Sequence, residues 1–157
     1  MEIISFIGFV LACQAIGLLG SIPTFKAIPT WYARLTKPSW TPPNKVFGPV
    51  WTALYLLMAL AAWRCYDVEG QRFEQWLTPF AVQLGLNLAW SWIFFGAKKI
   101  GLALIEMVVL WAFILWCLIA FWKVDELSGI LLMPYLLWVS FAFSLNAGIW
   151  ILNRKKH

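Results

Sequence analysis

The chain has 157 residues, of which 62% are hydrophobic, 18% aromatic and only 12% charged, and its mean hydropathy is +0.78. Soluble globular domains carry about 25% charged residues, so a soluble fold is excluded and the sequence reads as an integral membrane protein. The net charge of +5 is an orientation signal, as its distribution along the chain indicates, and not a nucleic-acid footprint.

A bilayer's hydrocarbon core takes about 20 apolar residues per helical crossing. Five stretches qualify: 3–22, 46–63, 79–97, 100–122 and 129–152. The expectation is an all-α bundle of five transmembrane helices forming one domain over 1–157. The first stretch, within "MEIISFIGFV", carries Glu2 and lacks the basic region of a signal peptide, so it is expected to be retained as a span.

Six of the eight prolines (Pro23, Pro29, Pro38, Pro42, Pro43 and Pro49) fall between the first two spans or at their edges. Proline fixes φ and disfavours helix in the residue before it. The pattern predicts a rigid, mostly extended first loop over 23–45 with one short helical turn around "TWYARL". Its Trp31, Tyr32 and Trp40 fit two roles equally, an interfacial aromatic belt or a lid over a cavity.

The second span begins at Trp51 and repeats an inward stripe at Tyr55, Met58 and Ala62. The third, "PFAVQLGLNLAWSWIFFGA", has two faces. Ala81, Gly85 and Ala89 make a small-xxx-small stripe suited to close helix approach, which predicts a homodimer through that face. Gln83, Asn87, Trp90 and Phe94 gather on the other side, and amides within a bilayer must face protein or a polar cavity.

In the fourth span, Glu106 is the one acid inside an apolar stretch, where an unpaired charge costs about 2.5–3.5 kcal/mol on insertion scales. Two readings stay open: a hydrogen bond to Gln14 or Ser21, or a proton site in a proton-coupled exporter. The fifth span collects Pro134, Trp138, Phe141, Ala142, Leu145 and Asn146 on one face. Three helices thus offer aromatic-polar faces that together would line a flat-walled pocket for a planar apolar molecule, or simply pack as the core.

With five crossings, the first loop, third loop and C-terminus share one side. That side holds Lys26, Arg34, Lys37, Lys45, Lys98, Lys99, Arg154, Lys155 and Lys156, nine of the twelve basic residues, against Arg64, Arg72 and Lys123 opposite. By the positive-inside rule the basic side is cytoplasmic and the N-terminus lies outside. Cys13, Cys65 and Cys117 are odd in number and widely spaced, which reads as small buried hydrophobes, not as a disulfide framework or metal site. The single histidine, His157, ends the chain, so no metal site is expected. No phosphate loop, catalytic triad or carboxylate pair is present either.

The segments "WYARLTKPSWTPPNKVFGPVWTALY", "LNLAWSWIFFG" and "PYLLWVSFAFSLN" resemble the TspO/MBR family of tryptophan-rich sensory and translocator proteins, and the likeness covers essentially the whole chain. The resemblance implies a dimeric five-helix protein, multi-pass in a membrane and, for this chain, in a bacterial inner membrane. It would bind porphyrins such as protoporphyrin IX or haem, and benzodiazepine-like ligands, beneath the first loop; the tetrapyrrole is a ligand and not a required cofactor. It also implies ligand contacts from Trp31, Tyr32, Trp51, Asn87, Trp90, Trp138 and Ala142, to which the face analysis adds Gln83 and Phe94. The roles it implies are tetrapyrrole transport, regulation or stress sensing, or light-dependent porphyrin degradation with Trp51 and Trp138 as the catalytic residues. The sterol-recognition pattern of animal members is broken here, because Ala147 follows Leu145-Asn146 and Ile151 follows Trp150.

Overall fold

The computed structural model describes residues 2–69 and 74–155. Arg72 and Lys156, which entered the charge argument, and His157, which entered the metal argument, lie outside the described residues. Five α-helices follow in order: α1 (Glu2–Ala27), α2 (Asn44–Glu69), α3 (Glu74–Ser91), α4 (Ile100–Val124) and α5 (Glu126–Asn153). No strand occurs among the described residues. α1, α2, α4 and α5 are long and apolar enough to cross a membrane. α3 falls short because Glu74, Gln75, Thr78, Gln83 and Asn87 dilute its hydropathy.

Helix ends differ from the sequence-based limits. Each helix reaches into polar flanks that hydropathy alone does not count. Pro23, expected in the loop, lies inside α1, and Pro49 lies inside α2 within the expected second span; neighbouring helices tolerate the missing N–H bonds. The connection is therefore 28–43, and within it Tyr32–Arg34 forms a single 3-10 turn. The predicted third span also changes character near its end. After Ser91 the chain makes a π-helical turn over Trp92–Gly96, closed by the Ala97 N–H donating to the Trp92 carbonyl at 2.7 Å.

Cross-element contacts fix the antiparallel order. At one end Arg64 of α2 donates through Nε (2.9 Å) and Nη2 (3.1 Å) to Asp125, the single residue between α4 and α5. Asp125 also caps α5, accepting from the backbone N–H of Ser128 at 2.9 Å and its hydroxyl at 2.6 Å; an aspartate there satisfies an orphan helical N–H. At the other end Asn146 Nδ2 of α5 donates to the Ile100 carbonyl at the start of α4, at 3.3 Å.

The two halves of the bundle are unlike. Near Arg64 and Asp125 the helices interlock around Ala59, Ala62, Trp76, Phe121, Leu132 and Tyr135, all buried. Small residues on α2 admit large ones from the other helices, as close packing requires. Cys13, Cys65 and Cys117 are buried there or beside it. Toward the other end the same helices diverge around an open space.

Candidate ligand-binding site

That space is a cavity of about 500 Å³ reached by all five helices, the π-helical turn and the first loop. Aromatic rings from the loop, the π-helical turn and four of the helices contribute to its walls. Trp90 stacks on Phe94, with centroids 5.1 Å apart and planes at 22°. Trp51 lies against Tyr55 at 5.6 Å. Trp138 meets Phe47 edge-on at 5.9 Å.

Of the residues singled out in the sequence, Tyr32, Trp51, Asn87, Trp90, Phe94, Trp138 and Ala142 line this cavity. Two do not. Trp31 packs outside it, edge-on to Phe94 at 5.6 Å. Gln83 lies one turn below Asn87, fully buried, beneath the cavity floor.

The floor is a hydrogen-bonded relay across three helices. Tyr55 Oη donates to Asn87 Oδ1 at 2.9 Å, and Asn87 Nδ2 donates to Tyr135 Oη at 2.7 Å. Tyr135 Oη in turn donates to Gln83 Oε1 at 2.8 Å. Gln83 Nε2 ends the chain on Met58 Sδ at 3.8 Å. Each buried polar group thereby gains a partner, and both amides are held in one orientation.

Tyr135 was missed in the sequence although it precedes Trp138 by three residues and so shares its face. Phe95 was missed because the π-helical turn adds a residue, bringing both Phe94 and Phe95 to the cavity; a simple helical wheel turns Phe95 away. Gln14, Gly17, Ser21 and Asn146 also line the space. Gln14 and Ser21 are not partners of Glu106: Gln14 Nε2 donates to the Thr52 carbonyl at 3.2 Å and Ser21 Oγ to the Leu18 carbonyl at 2.6 Å. Both Glu106 carboxyl oxygens are buried without a hydrogen bond, and Glu106 is not among the cavity-lining residues.

Ala81 and Gly85 are exposed on the outer face of α3, with Ala89 half-buried. A Cβ built at Gly85 meets nothing within 4 Å. In the loop, Lys37 Nζ sits 4.6 Å from the Tyr32 ring centroid and donates to the Leu35 carbonyl at 3.1 Å. Partial burial lowers the Lys37 pKa, and burial raises that of Tyr32. Among the described residues, no three His, Cys, Asp or Glu side chains come together to hold a metal.

Helices of membrane-crossing length around an aromatic-lined hollow define a multi-pass integral membrane protein with an internal cavity. A profile of the TspO/MBR family matches residues 9–151, and the chain belongs to that family. It is 42% identical over 143 residues to the tryptophan-rich protein TspO of Chlorobaculum tepidum, covering 90% of each chain. It is 37% identical over 155 residues to protein CrtK of Rhodobacter capsulatus, covering 98% of this chain and 95% of that one. To the human translocator protein it is 39% identical over 123 residues, covering 76% and 73% respectively.

Proposed function

We propose that this protein binds porphyrins such as protoporphyrin IX or haem, and other planar apolar ligands of benzodiazepine type, and acts in tetrapyrrole transport, regulation or stress sensing. The observation that carries the reading is the cavity of about 500 Å³ walled by Trp51, Trp90, Phe94 and Trp138. Flat indole and phenyl faces suit a flat ligand, because offset stacking on aromatic surfaces adds to the gain from apolar burial. Asn87 and Asn146 give it polar points within an otherwise apolar lining, the usual composition of a selective small-molecule site. The name of the human relative, translocator protein, agrees with a carrier role.

In this reading 1–157 is one domain and α3 with its π-helical turn is a fifth crossing. The end bearing Lys26, Lys37, Lys45, Lys98 and Arg154 faces the cytoplasm of a bacterial inner membrane. Two copies associate through Ala81, Gly85 and Ala89, whose small side chains permit close backbone approach. Trp31, outside the cavity wall, supports the loop through Phe94, and Gln83 supports Asn87 through Tyr135.

Quenching of tryptophan fluorescence by protoporphyrin IX tests the site. Trp51→Phe and Trp138→Phe should each weaken binding; unchanged affinity in both overturns it. A second reading, light-dependent degradation of the porphyrin, is favoured by Trp51 and Trp138 lining the same cavity. Illumination in oxygen separates the two readings. Bound porphyrin that bleaches no faster than free porphyrin leaves binding alone.

A further inference from the structure

The cavity has two boundaries through which a ligand could pass, and they are built differently. On the loop side the roof is fastened to α5. The Thr36 N–H donates to Asn153 Oδ1 at 3.0 Å, and Asn153 Nδ2 donates back to the Thr36 carbonyl at 2.8 Å. One buried side chain thus pairs with both polar groups of a single loop residue, as a neighbouring strand would. Further back along α5, Gly148 leaves a notch filled by Pro38, since a Cβ there would collide with Pro38 Cγ. Between these anchors and the cavity Tyr32 is buried, with its ring 5.6 Å from that of Phe95.

Between α1 and α2 the boundary is bridged where Gln14 Nε2 donates to the Thr52 carbonyl at 3.2 Å, and it is open from there toward Gly48. The two helices meet closely at Gly17, where a Cβ would fall 2.8 Å from the Tyr55 ring. Beyond that level α1 leans elsewhere: Gly20 faces Ser91 Oγ, and Pro23 lies against Gly96. Leu18 and Phe25 of α1 and Gly48 and Thr52 of α2 line the cavity, yet Leu18 is 70% and Phe25 74% exposed. A Cβ at Gly48 would meet nothing within 4 Å. All four lie in segments long and apolar enough to cross a membrane.

We infer that the cavity exchanges its ligand with the bilayer through the gap between α1 and α2, while the loop stays fastened to α5 by the Thr36–Asn153 pair and the Gly148 notch. A ligand using this route is one that partitions into lipid and passes edge-first between two helices. Lys45, exposed and lining the cavity at the start of α2, meets an anionic group carried on the trailing edge of such a molecule.

The choice of probe rests on the proposed function. Protoporphyrin IX is mixed with proteoliposomes and followed by tryptophan quenching. Because Cys13, Cys65 and Cys117 are buried, Gly48→Cys supplies an exposed thiol, and a bulky maleimide attached there fills the gap. Association and dissociation should then slow together by about tenfold with little change in Kd, as obstruction of a route requires. Asn153→Ala, which unfastens the roof and leaves the gap untouched, should exchange at the unmodified rate. Unaltered exchange in the blocked protein, or faster exchange in Asn153→Ala, overturns the inference.

If protoporphyrin IX fails to quench the unmodified protein, the proposed ligand is wrong, and the route is read from lipid instead. Phosphatidylcholine brominated on its acyl chains should quench Trp51 through the gap, measured as the difference between the parent protein and Trp51→Phe. The maleimide at Gly48→Cys should abolish that difference. Absence of any difference in the unblocked protein overturns the inference on its own.

Discussion

Replacing Tyr135 with phenylalanine deletes one oxygen beneath the cavity and disconnects two amides. The hydroxyl accepts from Asn87 Nδ2 at 2.7 Å and donates to Gln83 Oε1 at 2.8 Å, and Tyr135 is only 1% exposed, so bulk solvent does not replace it. Interhelical polar bonds in membrane proteins contribute about 0.6 kcal/mol each on average and up to about 1.7. Stranding a buried donor or acceptor costs about 1–3 kcal/mol. For two bonds lost and two groups stranded, we expect a destabilisation of about 2–3 kcal/mol.

Tyr55→Phe is the control, because it removes only the donor to Asn87 Oδ1 at 2.9 Å and leaves the Asn87–Tyr135–Gln83 links intact. About half the loss is expected for it. Reversible unfolding in mixed micelles, with the double variant completing a thermodynamic cycle, measures both values and their coupling. A loss below about 0.5 kcal/mol for Tyr135→Phe, within the range of uninvolved surface positions, would refute the relay as a stabilising device. Equal losses for the two variants would refute its order.

Three further outcomes are expected. Arg64 beside Asp125, together with the Ser128 hydroxyl and N–H, holds that carboxyl down to about 2 against an ordinary 3.8. The stabilisation is therefore present above the ordinary carboxylate range and is lost as pH falls toward the depressed value. The gap in melting temperature between the parent protein and Asp125→Asn, worth about 1 kcal/mol for a partly exposed pair, should close under acid; a gap that persists undiminished argues against the ion pair. Gly85→Leu should leave the monomer intact, since nothing lies within 4 Å of its Cβ position, while weakening self-association in lipid; a dimer that survives the change rules out that stripe as the interface. Glu106→Gln should match or exceed the parent in thermal stability because its carboxyl oxygens have no hydrogen-bond partner, and a marked loss would reveal one.

Angular information was legible in the sequence, and axial information was not. The faces that gathered Trp51 with Tyr55, Asn87 with Trp90 and Phe94, and Trp138 with Ala142 all turn toward the cavity, since helical periodicity reports direction. Gln83 shares the direction of Asn87 but sits one turn deeper, where Tyr135 fills the space. No single-helix pattern reveals that depth. Phe95 escaped because the π-helical turn at Trp92–Gly96 breaks the periodicity on which the reading depends. Trp31 and Tyr32 are adjacent, yet only Tyr32 reaches the cavity, a choice made by loop packing against Phe94 and Phe95. The inward face of α1 went unread although Gln14, Gly17, Ser21 and Thr24 recur at helical spacing and all line the cavity; the opening beside it follows from where Gly17 and Gly20 meet their neighbours.

The division between an interlocked half and a hollow half also sets how the molecule breathes. Helical segments around Trp76, Phe121 and Leu132 have rings and branched chains on every side, so their amides exchange with solvent only through large-scale opening. Segments around Trp51, Asn87 and Ala142 border empty space and lack those restraints. An occupant would supply the missing atoms and stiffen that half selectively, at a distance from the Arg64–Asp125 clasp that it never touches. If the proposed ligand fills that half, protection of the amides around Trp51, Asn87 and Ala142 should rise while protection around Trp76, Phe121 and Leu132 stays as it is.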